Sequence, residues 1–95
     1  MIGEKIRQLR EDNQMLIREV AAQLETDTAM LSKMERGERP FKKEDVITLA
    51  KIFGQPKKQL LIHWLAERIL KNIAEEDFGV ESLKLALKLK ENNNE

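Results

Sequence analysis

Ninety-five residues make one short domain, and at that length folding removes only about 60–65% of the unfolded surface from water, so the core is modest. Seventeen Lys and Arg balance seventeen Asp and Glu, which excludes bulk polycation binding but leaves room for local patches. The lack of cysteine excludes disulfides, thiolate zinc sites and cysteine nucleophiles, and a single histidine, His63, speaks against a metal or histidine-based catalytic centre. Helical periodicity dominates and strand-like alternation is nearly absent, so the predicted class is all-α. The first helix runs from Ile2 to Asp12, with Ile2, Ile6 and Leu9 on one face. The second covers Ile17 to Leu24, where Ile17, Val20, Ala21 and Leu24 follow the same spacing. After the break Glu25-Thr26-Asp27, with Asp27 as N-cap, a third helix runs from Thr28 to Glu35, burying Leu31 and Met34 and stopping before Gly37.

The fourth helix, Lys43 to Phe53, carries Val46, Leu49, Ala50 and Phe53 on one stripe; Gly54 ends it and Pro56 opens the next. The fifth, Pro56 to Ala74, has apolar residues on more than one side. Leu61, Trp64, Leu65 and Arg68 mark one stripe, and Ile62, Leu65, Ile69 and Ile73 mark another. One stripe suffices to dock on the four preceding helices, so the second needs a further partner. The sixth helix, Val80 to Lys90, with Val80, Leu83, Ala86 and Leu87, is one candidate and a second copy of the chain is another. The tail from Glu91 to Glu95 is expected to fray. Glu75-Glu76-Asp77 reads as a solvated helix end rather than a metal cluster, and His63 as an ordinary surface histidine. Charge begins at Glu4, leaving no signal core, and no apolar run nears the 18 residues of a membrane span. A soluble cytoplasmic domain, not an enzyme and without a cofactor, is the expectation.

Two short amphipathic helices joined by a three-residue break form the helix-turn-helix layout. The run Leu31-Ser32-Lys33-Met34-Glu35-Arg36-Gly37-Glu38-Arg39 resembles the ISxIExGxR signature of the XRE family, the λ-Cro-like repressors and their relatives. Leu9-Arg10 resembles the family's LR, Glu19-Val20-Ala21 its E-L-A, and residues 46–54 its closing L-x-x-L-A-x-x-L segment. The resemblance spans residues 2–61 in the right order and spacing. It implies a five-helix λ-repressor-like bundle over 1–61, and the surplus apolar periodicity beyond the motif predicts a C-terminal helical arm over 62–95.

A major groove about 12 Å wide admits one helix, so the probing helix needs short polar or small residues on its exposed face. Here that face offers Thr28, Ala29, Ser32 and Lys33, the positions at which the family resemblance implies base contacts. Lys33, Arg36, Arg39, Lys42 and Lys43 fall within eleven residues, offset only by Glu35 and Glu38. Residues 60–95, in contrast, carry more acid than base, an asymmetry suited to presenting one face to phosphates. Arg36, Arg39, Lys42 and Lys43 are therefore the phosphate-binding candidates, joined by Arg18 near the start of the second helix. The resemblance also implies that Arg10 and Glu35 pair across the first and third helices as scaffold, a device for orientation more than net stability.

Three positions depart from the family pattern. Leu16-Ile17 stands where Thr-Gln is usual, removing a capping hydroxyl and a phosphate contact. Glu25 holds a place where glycine is frequent, at a cost on the order of 1 kcal/mol if its backbone is left-handed. Pro40 comes one residue early.

One helix-turn-helix unit reads few base pairs, so specificity calls for two copies about 34 Å apart on duplex DNA. Leu60, Trp64, Leu65, Ile69 and Leu83 are the candidates for the dimer interface, unless the last two helices merely close the monomer's own core. The resulting expectation is a sequence-specific, homodimeric transcriptional repressor. Within the same class stand a phage-type repressor, a general regulator, and a controller of a restriction–modification gene cluster. The Trp64-Leu65-Ala66-Glu67-Arg68 helix resembles small bacterial regulators found beside DNA methyltransferase genes. From a different class comes an antitoxin, whose apolar arm would bind a protein partner while its helix-turn-helix serves autoregulation.

Overall fold

The computed structural model describes residues 1–93, which form six α-helices and no strand among them: α1 (Ile2–Asp12), α2 (Ile17–Gln23), α3 (Thr28–Glu35), α4 (Lys43–Ile52), α5 (Lys57–Ile73) and α6 (Gly79–Asn92). Local chemistry sets most of the boundaries. Asp27 caps α3 by accepting from the Met30 amide at 2.6 Å. At α2 the missing hydroxyl is bypassed: Glu19 reaches back to accept from the Leu16 amide at 2.7 Å, half of a capping box. Asp45 does the same for Lys42 at the start of α4, at 3.0 Å. Pro56 precedes α5 as its N-cap rather than opening it. Gly37 and Gly54 take the left-handed conformation that stops α3 and α4, with φ of 81° and 63°.

The first four helices and the front half of α5 enclose the core. Ile6, Val20, Leu31, Val46 and Leu49 are fully buried at its centre, and Phe41, Phe53, Leu60 and Trp64 close it beside α5. Leu60 and Trp64, interface candidates by sequence, belong instead to the chain's own core. They are 3% and 9% exposed, because the i, i+4 stripe they form docks on the chain's own body. The Trp64 indole donates Nε1–H to the Phe41 carbonyl at 2.8 Å, giving the buried ring its one polar partner. A boundary at residue 61 therefore falls inside a continuous helix, and the core reaches past it to Trp64.

Beyond Trp64 the apolar packing on the body ends, although Glu67 still ties α5 to α1 by accepting from the Ile2 amide. No residue of α6 is buried, and at its start Gly79 lies beside Ile73 of α5. The radius of gyration is 15.5 Å, against about 12 Å for a compact chain of this length. Three of the four residues on the second stripe of α5 stay uncovered: Ile62, Leu65 and Ile69 are 59%, 50% and 44% exposed, whereas Ile73 is half-buried beside the start of α6. Of the tail expected to fray, Glu91 and Asn92 are helical and Asn93 caps α6, while Asn94 and Glu95 lie outside the described residues.

Candidate nucleic-acid interface

The helix-turn-helix is built from α2, the turn through Asp27, and α3. Glu25 adopts φ of 58°, the left-handed conformation for which glycine would be the unstrained choice. The turn holds through the Thr26 amide, which donates to the Ala21 carbonyl at 3.0 Å. On α3, Leu31 and Met34 point into the core, while Thr28, Ala29 and Lys33 are exposed and Ser32 is half-buried. The four base-reading candidates thus share the outward side of one short helix.

That helix is held from behind. Arg10 on α1 meets Glu35 at the end of α3 through two parallel hydrogen bonds, Nε to Oε2 at 2.8 Å and Nη2 to Oε1 at 3.2 Å. Its Nη1 donates to the Met15 carbonyl at 3.1 Å, so the guanidinium also ties down the loop before α2. The hydrogen bond to Glu35 raises the Arg10 pKa above its already high ordinary value. Gly3 adds a steric element. A Cβ there would collide with the backbone carbonyls of Glu35 and Met34, the latter at 2.7 Å, so α1 lies on the end of α3 with no room for a side chain. Sequence reasoning missed Gly3, because a lone glycine near a helix start carries no sign of what will press against it.

Around α3 the cations divide into two kinds. Arg18, Arg39, Lys42 and Lys43 are exposed and form no ion pair among the described residues. Arg36 is engaged: its Nε lies 2.6 Å from Glu38 Oε2, and its Nη1 donates to the Ser32 hydroxyl. This pairing raises the Arg36 pKa further and holds the Glu38 carboxyl below the usual range. Any phosphate contact by Arg36 competes with Glu38, and Ser32 Oγ already accepts one hydrogen bond. Among the interface candidates on the arm, Leu65 and Ile69 are exposed and Leu83 is half-buried.

Among the described residues, no group of three or more His, Cys, Asp or Glu could hold a metal ion. Nor is any helix among them long and apolar enough to cross a membrane.

A capped helix with an outward polar face, locked at its rear and ringed by unpaired cations, marks a DNA-binding helix-turn-helix. The chain belongs to the helix-turn-helix domain family, of the XRE and Cro-like kind: the family described as "Helix-turn-helix domain" matches residues 2–61. The match ends within α5, which continues unbroken to Ile73. No curated protein and no solved structure matches the chain.

Proposed function

We propose that the protein is a sequence-specific transcriptional regulator, a repressor that binds its operator as a homodimer. One observation carries this reading: the outward face of α3 is bare, and four unpaired cations flank it on α2, the loop before α4 and the start of α4. Thr28, Ala29, Ser32 and Lys33 read base edges, with Lys33 donating to guanine O6 or N7 and Thr28 or Ala29 meeting a thymine methyl. Arg18, Arg39, Lys42 and Lys43 anchor phosphates, with Arg36 joining once it releases Glu38. Neutralising about 6–10 phosphates per dimer makes affinity fall steeply with salt.

Dimerisation draws its support from the uncovered apolar surface of the arm. Ile62, Leu65 and Ile69 on α5 and Leu85, Leu87 and Leu89 on α6 are each between 44% and 60% exposed. Ile62, Leu65 and Ile69, at i, i+3 and i+7, form one exposed apolar stripe that a partner can cover, and a second copy provides the two-fold spacing that an operator demands. The same surface would serve a protein partner if the chain were an antitoxin. Selection of bound duplexes from a random pool, combined with sedimentation of the free protein and its complex, separates the readings. A two-fold symmetric site with two chains bound supports the repressor. A monomer that selects no sequence refutes it.

A further inference from the structure

An open groove of about 800 Å3 runs between the loop that joins α3 to α4 and the rear half of α5. One wall carries Arg39, Lys42 and Lys43; the other carries Arg68 and Lys71, which lie beyond the residues that match the family. The two carboxylates in the groove are already engaged. Glu38 pairs with Arg36, and Glu67 accepts from the Ile2 amide at 2.6 Å. The five cations make no ion pair among the described residues.

Their placement follows from the register of α5. Leu60, Trp64, Arg68 and Lys71 stand at i, i+4, i+8 and i+11, on one face of the helix. The first two are buried; the next two are exposed. The face that packs on the body therefore turns basic where the helix leaves it, on the side toward the loop rather than away from it. Arg68 is also held in place. Its guanidinium lies over the Trp64 ring, 4.8 Å from the centroid, and Trp64 is anchored to Phe41 of the facing loop. A guanidinium held over an aromatic face can still offer N–H groups to a phosphate, with less freedom to lose on binding.

We infer that this groove carries the DNA backbone past the helix-turn-helix, with Arg68 and Lys71 gripping phosphates that the family motif does not reach. The inference rests on the DNA-binding reading above. A duplex fits better than a compact anion, because the cations come from two separate elements that line an open groove rather than an enclosed cavity. From Trp64 to Lys71 the helix advances about 10 Å, a distance covering two to three nucleotides at about 3.4 Å each along a strand.

The test is salt-dependent binding of a duplex selected from the random pool, comparing the wild type, the Arg68→Gln/Lys71→Gln double variant and Arg39→Gln. Each lost phosphate contact flattens the log–log salt slope by about 0.9, so the double variant should lose roughly two per protomer. Its affinity should fall on the order of tenfold per contact at 0.1 M salt, equally for every sequence. Arg68→Lys should restore the slope but only part of the affinity, since the stacked fork is gone. Thermal melts accompany each variant. If the double variant proves unstable, Lys71→Gln alone, at an exposed position, should flatten the slope by about one per protomer. Wild-type slope and affinity in the double variant, with Arg39→Gln still weakened, would overturn the groove while leaving the DNA reading intact. A wild type that shows no salt-dependent binding to any duplex would overturn both.

Discussion

The guanidinium of Arg10 on α1 is joined to the carboxylate of Glu35 on α3 by two hydrogen bonds, although 25 residues separate them. The Glu35 side chain is 5% exposed and that of Arg10 14%. The pair therefore fixes the rear of the probing helix from inside the protein, where solvent screens it little. Glu35→Ala should cost about 3 kcal/mol, because it leaves a nearly buried cation without its counter-charge. Replacing both partners, Arg10→Met with Glu35→Leu, should recover most of that loss. Urea midpoints at unchanged m-value measure the difference; equal losses in single and double variants would show that the pair is not a coupled unit.

Gly3 offers a test in which the sign is diagnostic. Helix propensity alone favours alanine over glycine by about 1 kcal/mol. The Met34 carbonyl at 2.7 Å from a Cβ at this position opposes it, and forcing a group into packed backbone costs about 1–3 kcal/mol. Gly3→Ala should therefore lower the Tm by several degrees, at roughly 4–8 °C per kcal/mol for a domain of this size. A rise in Tm would mean that α1 does not lie against the end of α3.

Glu25 stores strain that can be released. With φ of 58° it pays the left-handed penalty of a residue bearing a Cβ. Glu25→Gly should stabilise the protein by on the order of 1 kcal/mol, raising Tm and leaving DNA affinity nearly unchanged. A destabilised variant would indicate that the turn is not left-handed in solution.

Base reading and phosphate anchoring have different signatures. Lys33→Ala should cost about 1–3 kcal/mol on the preferred operator and relax discrimination at one base pair. Arg39→Ala should weaken every sequence alike and flatten the salt slope by about one per protomer. Titrations over operator variants and salt distinguish the two; identical losses on all sequences for both variants would remove Lys33 from the reading face.

The uncovered stripe of α5 can be altered without opening the core. Leu65→Glu with Ile69→Glu places charge at positions 50% and 44% exposed, so the helical signal should survive. If the wild type dimerises as proposed, sedimentation equilibrium should then report a monomer at concentrations where the wild type sediments as a dimer. An unchanged molecular weight would move the interface elsewhere on the arm.

The positions of the helices are legible because each carries its own period and its own caps. Asp27, Gly37, Gly54 and Pro56 mark boundaries through local backbone chemistry that needs no tertiary partner. The outward face of α3 is legible for the same reason, since Leu31 and Met34 claim the inner side and leave Thr28, Ala29 and Lys33 outside. Stripes on α5 are less informative. Periodicity says that Trp64 and Leu65 are both apolar, but not which of them meets the body and which meets water.

By itself the sequence determined six amphipathic helices, the turn between α2 and α3, and the basic run beside them, all properties set within a few residues along the chain. Only the tertiary structure decided that Leu60 and Trp64 belong to the core, that Gly3 sits beneath the carbonyls of α3, and that Arg68 and Lys71 face Arg39 across a groove. Those relationships join residues tens of positions apart. They depend on the angle at which α5 crosses the body, which is set by how buried side chains interlock rather than by any local spacing.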